Sequence, residues 1–149
     1  MKNLLIILVM FFGCSKKETE NINVYQITVR YLGSQDAPHP IILLTNRKPN
    51  ENRFPVVNYQ IEKEDLRKIE KISYSKIREY NRESLVLVEV NKDNKIEKYF
   101  FKKKNGIEVL GKIQKIISHY NNKLLNNDLI DLQLATKQNW YRDGKIIGL

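Results

Sequence analysis

The chain has a single cysteine, Cys14, in 149 residues. A lone thiol forms no internal disulfide and cannot build a thiolate zinc site. Histidine is almost as scarce, with only His39 and His119. No His-x-x-x-His pair, cysteine pair or Asp-x-Asp-x-Asp loop occurs, so no metal and no cofactor are expected. The six glycines form no phosphate-cradling loop, and Gly106 and Gly111 stand alone. No apolar run reaches the roughly 20 residues that a membrane-spanning helix needs. The longest, Leu4 to Phe12, has nine.

Basic side chains, by contrast, are plentiful. Lysine and arginine number 26 against 17 acids, for a net charge of +9. Such a balance suits a polyanion or an anionic surface. The lysines are spread along the chain, however, and only Ala37 and Ala135 represent alanine. A composition rich in Lys, Asn and Ile is what A/T-rich coding writes into any protein, so a solvated lysine surface explains most of the charge.

The first twenty residues carry the sharpest signal. Met1-Lys2-Asn3 is short and basic, Leu4 to Phe12 is apolar, and Gly13 is small. That order describes a secretory signal peptide. Cys14 follows at once. Phe11-Phe12-Gly13-Cys14 resembles the lipobox of bacterial lipoproteins. The resemblance implies cleavage between Gly13 and Cys14 and lipid on the Cys14 thiol. It covers the first twenty residues and says nothing of the domain beyond. A single acyl chain holds a protein only marginally, at about 0.8 kcal/mol per buried methylene, so two or three chains make a lasting anchor. Ser15 stands where, by resemblance to Gram-negative lipoproteins, an aspartate favours the inner membrane. The outer membrane is therefore favoured.

Residues 1–13 thus read as signal, and 14–22 as a lipidated cysteine with a polar tether. Residues 23–149 read as one domain, a size at which a core forms without staples. Val24 to Leu32 is rich in β-branched and aromatic residues, as a strand requires. Ile41 to Leu44 and Val56 to Ile61 are further strands, separated by the loop Asn46 to Pro55. Glu62 to Ile72 carries apolar residues at helical spacing, and the pattern extends weakly to Ile77 and Tyr80. Ser84 to Val90 and Lys95 to Phe101 form a hairpin about a four-residue turn, Asn91 to Asn94. Ile107 to Tyr120 reads as the best helix, closed by Asn121-Asn122. Leu124 to Leu134 fits a helix, while the alternation of Ile130, Leu132 and Leu134 fits a strand. Trp140 to Ile147 suggests a tight turn on Asp143-Gly144. The order predicts an α+β domain: a small antiparallel sheet with one or two helices packed on one face.

Chemistry is sparse. Ser34, Asp36 and His39 lie close in sequence, but a triad is assembled by a fold, and a loop stiffened by Pro38 and Pro40 explains them better. His119 suits the negative end of a helix dipole. Glu62, Glu64, Asp65 and Glu70 read as solvated acids among lysines. The run Tyr99-Phe100-Phe101 followed by Lys102, Lys103 and Lys104 offers aromatics beside charge, a pattern that binds single-stranded nucleic acid. An exported lipoprotein meets little nucleic acid, so that partner is not expected. Core aromatics with lysines at the strand's solvated end explain the run. As a basic patch, these lysines would address anionic head groups or an acidic protein.

The leading expectation is a non-enzymatic binding domain, held in the cell envelope by lipid on Cys14 and facing an envelope partner, an immunity or assembly role included. One alternative is an envelope hydrolase assembled from scattered Asp, Glu and His, which demands a deep pocket of converging titratable groups. A polyanion-binding lipoprotein is another.

Overall fold

The computed structural model describes residues 24–33, 38–73, 79–138, 141–142 and 145–146. Gly13, Cys14, the signal and the tether lie outside the described residues, as do Ser34, Asp36 and the Asp143-Gly144 turn. Five strands form one sheet: β1 (Tyr25–Tyr31), β2 (Ile41–Thr45), β3 (Val56–Gln60), β4 (Ser84–Lys92) and β5 (Lys95–Lys102). Their spatial order is β3-β2-β1-β4-β5. Three helices pack against the sheet: α1 (Lys63–Ser73), α2 (Lys103–Ile117) and α3 (Lys123–Gln138). Tyr141–Arg142 and Lys145–Ile146 pair as a separate two-stranded ribbon. Among the described residues no helix is long and apolar enough to cross a membrane.

Strand alternation decides which face the helices cover. Tyr25, Ile27 and Val29 of β1, Ile42 and Leu44 of β2, and Val86, Val88 and Val90 of β4 are buried in one core. Tyr99 and Phe101 of β5 join them, with Leu66 and Ile69 of α1, four residues of α2, and Leu125, Leu129 and Leu132 of α3. Period-2 strands thus meet period-3.6 helices along one apolar layer. The opposite face carries Gln26, Thr28 and Arg30 of β1 and Leu43 of β2. Leu85 and Leu87 are buried on that side as well. Leu87 is the register partner of Phe100, which meets Tyr80 edge to face at 5.7 Å.

The fold class is α+β, with three differences of detail from the sequence expectation. The sheet is mixed, because β2 and β3 run parallel. Three helices cover it, not one or two. The β4–β5 turn is two residues long, since Asn91 and Lys92 pair with Ile96 and Lys95. Asp93 and Asn94 take φ of 52° and 65°, the left-handed pair that a type I′ hairpin turn requires.

The helix boundaries have local causes. α2 begins four residues before Ile107 and takes Gly106 into its first turns. A Cβ at Gly106 would stand 2.8 Å from Val86 Cγ2 and 3.4 Å from Thr136 Cγ2, so glycine lets α2 approach β4 and α3. After α2 comes one 3₁₀ turn, Ser118–Tyr120, and Asn121 ends it at φ 53°. Asn122 Oδ1 then accepts the Leu125 N–H at 3.1 Å, which caps α3. The ambiguous segment after Leu124 is therefore helix. Of its alternating trio only Leu132 is buried, while Ile130 and Leu134 stay exposed. α1 is described to Ser73; residues 74–78 lie outside the described residues, and Tyr80 is not helical.

Candidate functional site

The parallel pair β2–β3 forces the chain to travel back along a strand's length. Parallel neighbours usually take a dozen or more residues for this, most often a helix. Here residues 46–55 do it as an irregular arm on the uncovered side of the sheet. The arm is fixed at several points. Tyr25 N–H donates to Asn46 Oδ1 at 3.2 Å, and Asn46 N–H to the Tyr25 carbonyl at 3.3 Å. Arg47 N–H donates to Thr45 Oγ1 at 3.2 Å. Asn58 N–H donates to Asn52 Oδ1 at 2.7 Å. Arg53 and Val56 exchange two backbone hydrogen bonds, at 3.1 and 2.8 Å.

Between arm and sheet lie two adjoining clefts of about 640 and 360 Å³. They share Leu43, Asn50 and Asn58. Arg53 and Glu51 flank the larger cleft, and Arg47 and Lys48 flank the smaller. Gln26 and Thr45 add an amide and a hydroxyl. None of these three cations has a carboxylate partner among the described residues. Volumes of this order suit a ligand site. Nothing in the sequence pattern announced the clefts, because their wall is the loop Asn46 to Pro55.

The sequence candidates fall elsewhere. Lys102 closes β5 and pairs with Glu83. Lys103 and Lys104 open α2, with no side-chain cap at Lys102 and no acid in the first turn. Cations there oppose the helix dipole, so they do not serve the helix. Tyr99 and Phe101 are buried in the core, while Phe100 is half-buried on the other face against Tyr80. His39 lies 2.9 Å from Asp131 of α3 and edge-on to Tyr31. His119 Nδ1 lies 2.9 Å from the Ile116 carbonyl, at the end of α2 where it was expected.

Two carboxylates correct the expectation of solvated acids: Asp65 is 4% exposed and Glu70 9%. Tyr25 donates its hydroxyl to Glu70 Oε2, and Lys92 Nζ stands 3.9 Å away. Tyr99 likewise donates to Glu97 Oε2. Both acids border a cleft of about 280 Å³ with Lys92, Asp93 and Lys95. Each is engaged with a core tyrosine; the Tyr25–Glu70 bond ties α1 to β1, and the Tyr99–Glu97 bond lies within β5.

Asp65 is the hub of the α1–α2 corner. Tyr120 donates its hydroxyl to Asp65 Oδ2 at 2.8 Å and accepts the Glu62 N–H at 2.6 Å. Lys68 Nζ lies 2.8 Å from Oδ1, and His119 Nε2 3.2 Å from Oδ2. Burial alone would push the Asp65 carboxyl up. The hydrogen bonds from Lys68 and Tyr120, with the positive charge nearby, outweigh it and hold the group below the ordinary aspartate value. Burial, together with the Asp65 hydrogen bond and the charges of Asp65 and Glu62, pushes the Tyr120 phenol up to about 12, against the Glu62 N–H. Burial and Asp128, which accepts its hydroxyl at 2.5 Å, likewise push the Tyr59 phenol up.

No group of three or more metal-ligating side chains comes together among the described residues. Comparison of the chain with family models, curated proteins and solved structures found no match. The functional reading therefore rests on the residues themselves.

Proposed function

We propose that this chain is a lipid-anchored protein of the cell envelope whose domain binds a ligand or partner without transforming it. The apolar run Leu4 to Phe12, closed by Gly13-Cys14 and followed at once by charge, carries the anchoring half. Lipid on Cys14 holds the protein in the membrane, residues 15–22 tether it, and the absence of an aspartate at position 15 favours the outer membrane over the inner. The uncovered sheet face supports the binding half. All three helices occupy one side of the sheet, and two adjoining clefts lie on the other side, half of their lining residues amides or cations and only one, Glu51, an acid. Such a surface holds and presents; it does not assemble a nucleophile beside its base.

Acyl labelling with a clickable palmitate analogue tests the anchor, on wild type and Cys14→Ala, with membrane fractionation of both. Labelled, sedimenting wild type and unlabelled, soluble mutant are expected. Equal fractionation of the two without label overturns the anchor.

A further inference from the structure

We infer that the cleft between the 46–55 arm and the sheet binds a saccharide bearing carboxylate or phosphate groups. This rests on the reading of the domain as a binding module, but not on its anchor.

Charge is the first reason. Arg47, Lys48 and Arg53 border the two adjoining clefts, against one acid, Glu51. No described carboxylate pairs with any of the three. A guanidinium presents a planar fork that matches a carboxylate or phosphate through two parallel hydrogen bonds. Several basic side chains elsewhere are paired with acids. Lys68, Lys98, Lys102 and Lys112 each face an acid within 4 Å. Three unspent cations on one short arm are a local excess with a direction.

The second reason is the polar floor. Asn50 and Gln26 offer amides, each both donor and acceptor, Asn58 adds its side-chain oxygen while its NH2 donates to the Glu51 carbonyl and Asn52 Oδ1, and Thr45 adds a hydroxyl. A ligand that is both hydroxyl-rich and anionic satisfies that mixture; a purely apolar one does not. Leu43 and Val56 supply modest apolar area for the C–H face of a sugar ring.

The third reason is what the arm blocks. A peptide adding to the β3 edge would need its free N–H and C=O groups. Asn58 N–H is already taken by Asn52, and Val56 by Arg53. Strand addition is blocked at these two positions of the edge, while the cleft stays open. The arm's anchors at Asn46, Asn52 and Arg53 also hold its cations without a ligand, so little ordering cost falls on binding.

The test uses the full chain in detergent and isothermal titration with four probes. These are a galacturonate tetrasaccharide, mannose 6-phosphate, neutral maltotetraose and phosphatidylglycerol vesicles. Binding of either acidic sugar, at least tenfold tighter than maltotetraose and weakening with salt, is expected. Which acidic sugar binds decides between carboxylate and phosphate. Arg47→Ala/Arg53→Ala should weaken it at least tenfold with unchanged thermal unfolding, and Lys103→Ala/Lys104→Ala should leave it intact. Absence of acidic-sugar binding at millimolar concentration overturns the inference. So does equal binding of maltotetraose, or loss of binding in the Lys103/Lys104 variant. Vesicle binding that needs Arg47 and Arg53, without sugar binding, would make the cleft a membrane-facing surface and refute it too. A failed palmitate labelling leaves this titration untouched, and a failed titration leaves the anchor standing.

Discussion

Replacing Asp65 by alanine should unlock the α1–α2 corner. The carboxylate is almost wholly buried and is met by Tyr120, Lys68 and His119. Lys68 and His119 are more than half exposed, so water screens them and they add little. The Tyr120 hydroxyl carries most of the effect, because a hydrogen bond to a buried charge is worth about 1.5–3 kcal/mol. Its loss also strips one partner from a hydroxyl that still holds the Glu62 N–H. We expect Asp65→Ala to cost about 2–3 kcal/mol in urea unfolding. At about 4 °C per kcal/mol for a domain of this size, the midpoint should drop by about 8–12 °C. Tyr120→Phe should cost about 1 kcal/mol, and the double variant should lose less than the sum, with a coupling of about 1 kcal/mol or more. The pH dependence has a definite sign. A carboxyl held low in the folded state stabilises the fold above its unfolded value of about 3.9. That contribution disappears as pH falls through the folded value. The gap between wild type and Asp65→Asn should therefore be constant near neutrality and close in acid below about pH 4. A loss under about 0.5 kcal/mol for Asp65→Ala, or strict additivity with Tyr120→Phe, would refute the hub.

Other positions give sharper contrasts. Gly106→Ala should cost about 1–3 kcal/mol by overpacking Val86, whereas Gly111→Ala, which meets nothing within 4 Å, should gain up to about 1 kcal/mol of helix propensity; paired thermal melts decide. Asn94→Gly should stabilise the β4–β5 turn by several tenths of a kcal/mol, and Asn94→Val should cost about 1–2 kcal/mol, because a β-branched residue resists φ of 65°. Denaturant midpoints measure both.

Strands were legible wherever one face alone met the core. Tyr25, Ile27 and Val29 alternate with Gln26, Thr28 and Arg30, and that alternation fixes both the strand and its orientation. α2 was legible only from Ile107 onward. Lys103, Lys104 and Asn105 carry no apolar period, and Gly106 looks like a breaker until its closeness to Val86 is known. α3 blurred because Leu124, Ile130 and Leu134 are exposed leucines and isoleucines that dilute the helical stripe. Asp65 and Glu70 looked solvated since their partners, Tyr120 and Tyr25, lie 55 and 45 residues away. The cleft was illegible for a related reason. Its cations stand in a loop, and only the parallel return from β2 to β3 brings that loop over the sheet. Local composition carries no trace of strand direction.

The place of β1 has a mechanical consequence. It is both the first described strand and the middle of the sheet, paired along β2 on one side and β4 on the other. The Val24 carbonyl extends this grip by accepting the Asp93 N–H at 3.1 Å. Whatever holds the chain ahead of Val24 therefore pulls along the axis of a doubly paired strand. Such a load shears two rows of hydrogen bonds together instead of peeling them one by one. Tension entering from that end meets the domain where it resists extraction best, and the two hydrogen bonds between Tyr25 and Asn46 pass part of it to the root of the arm.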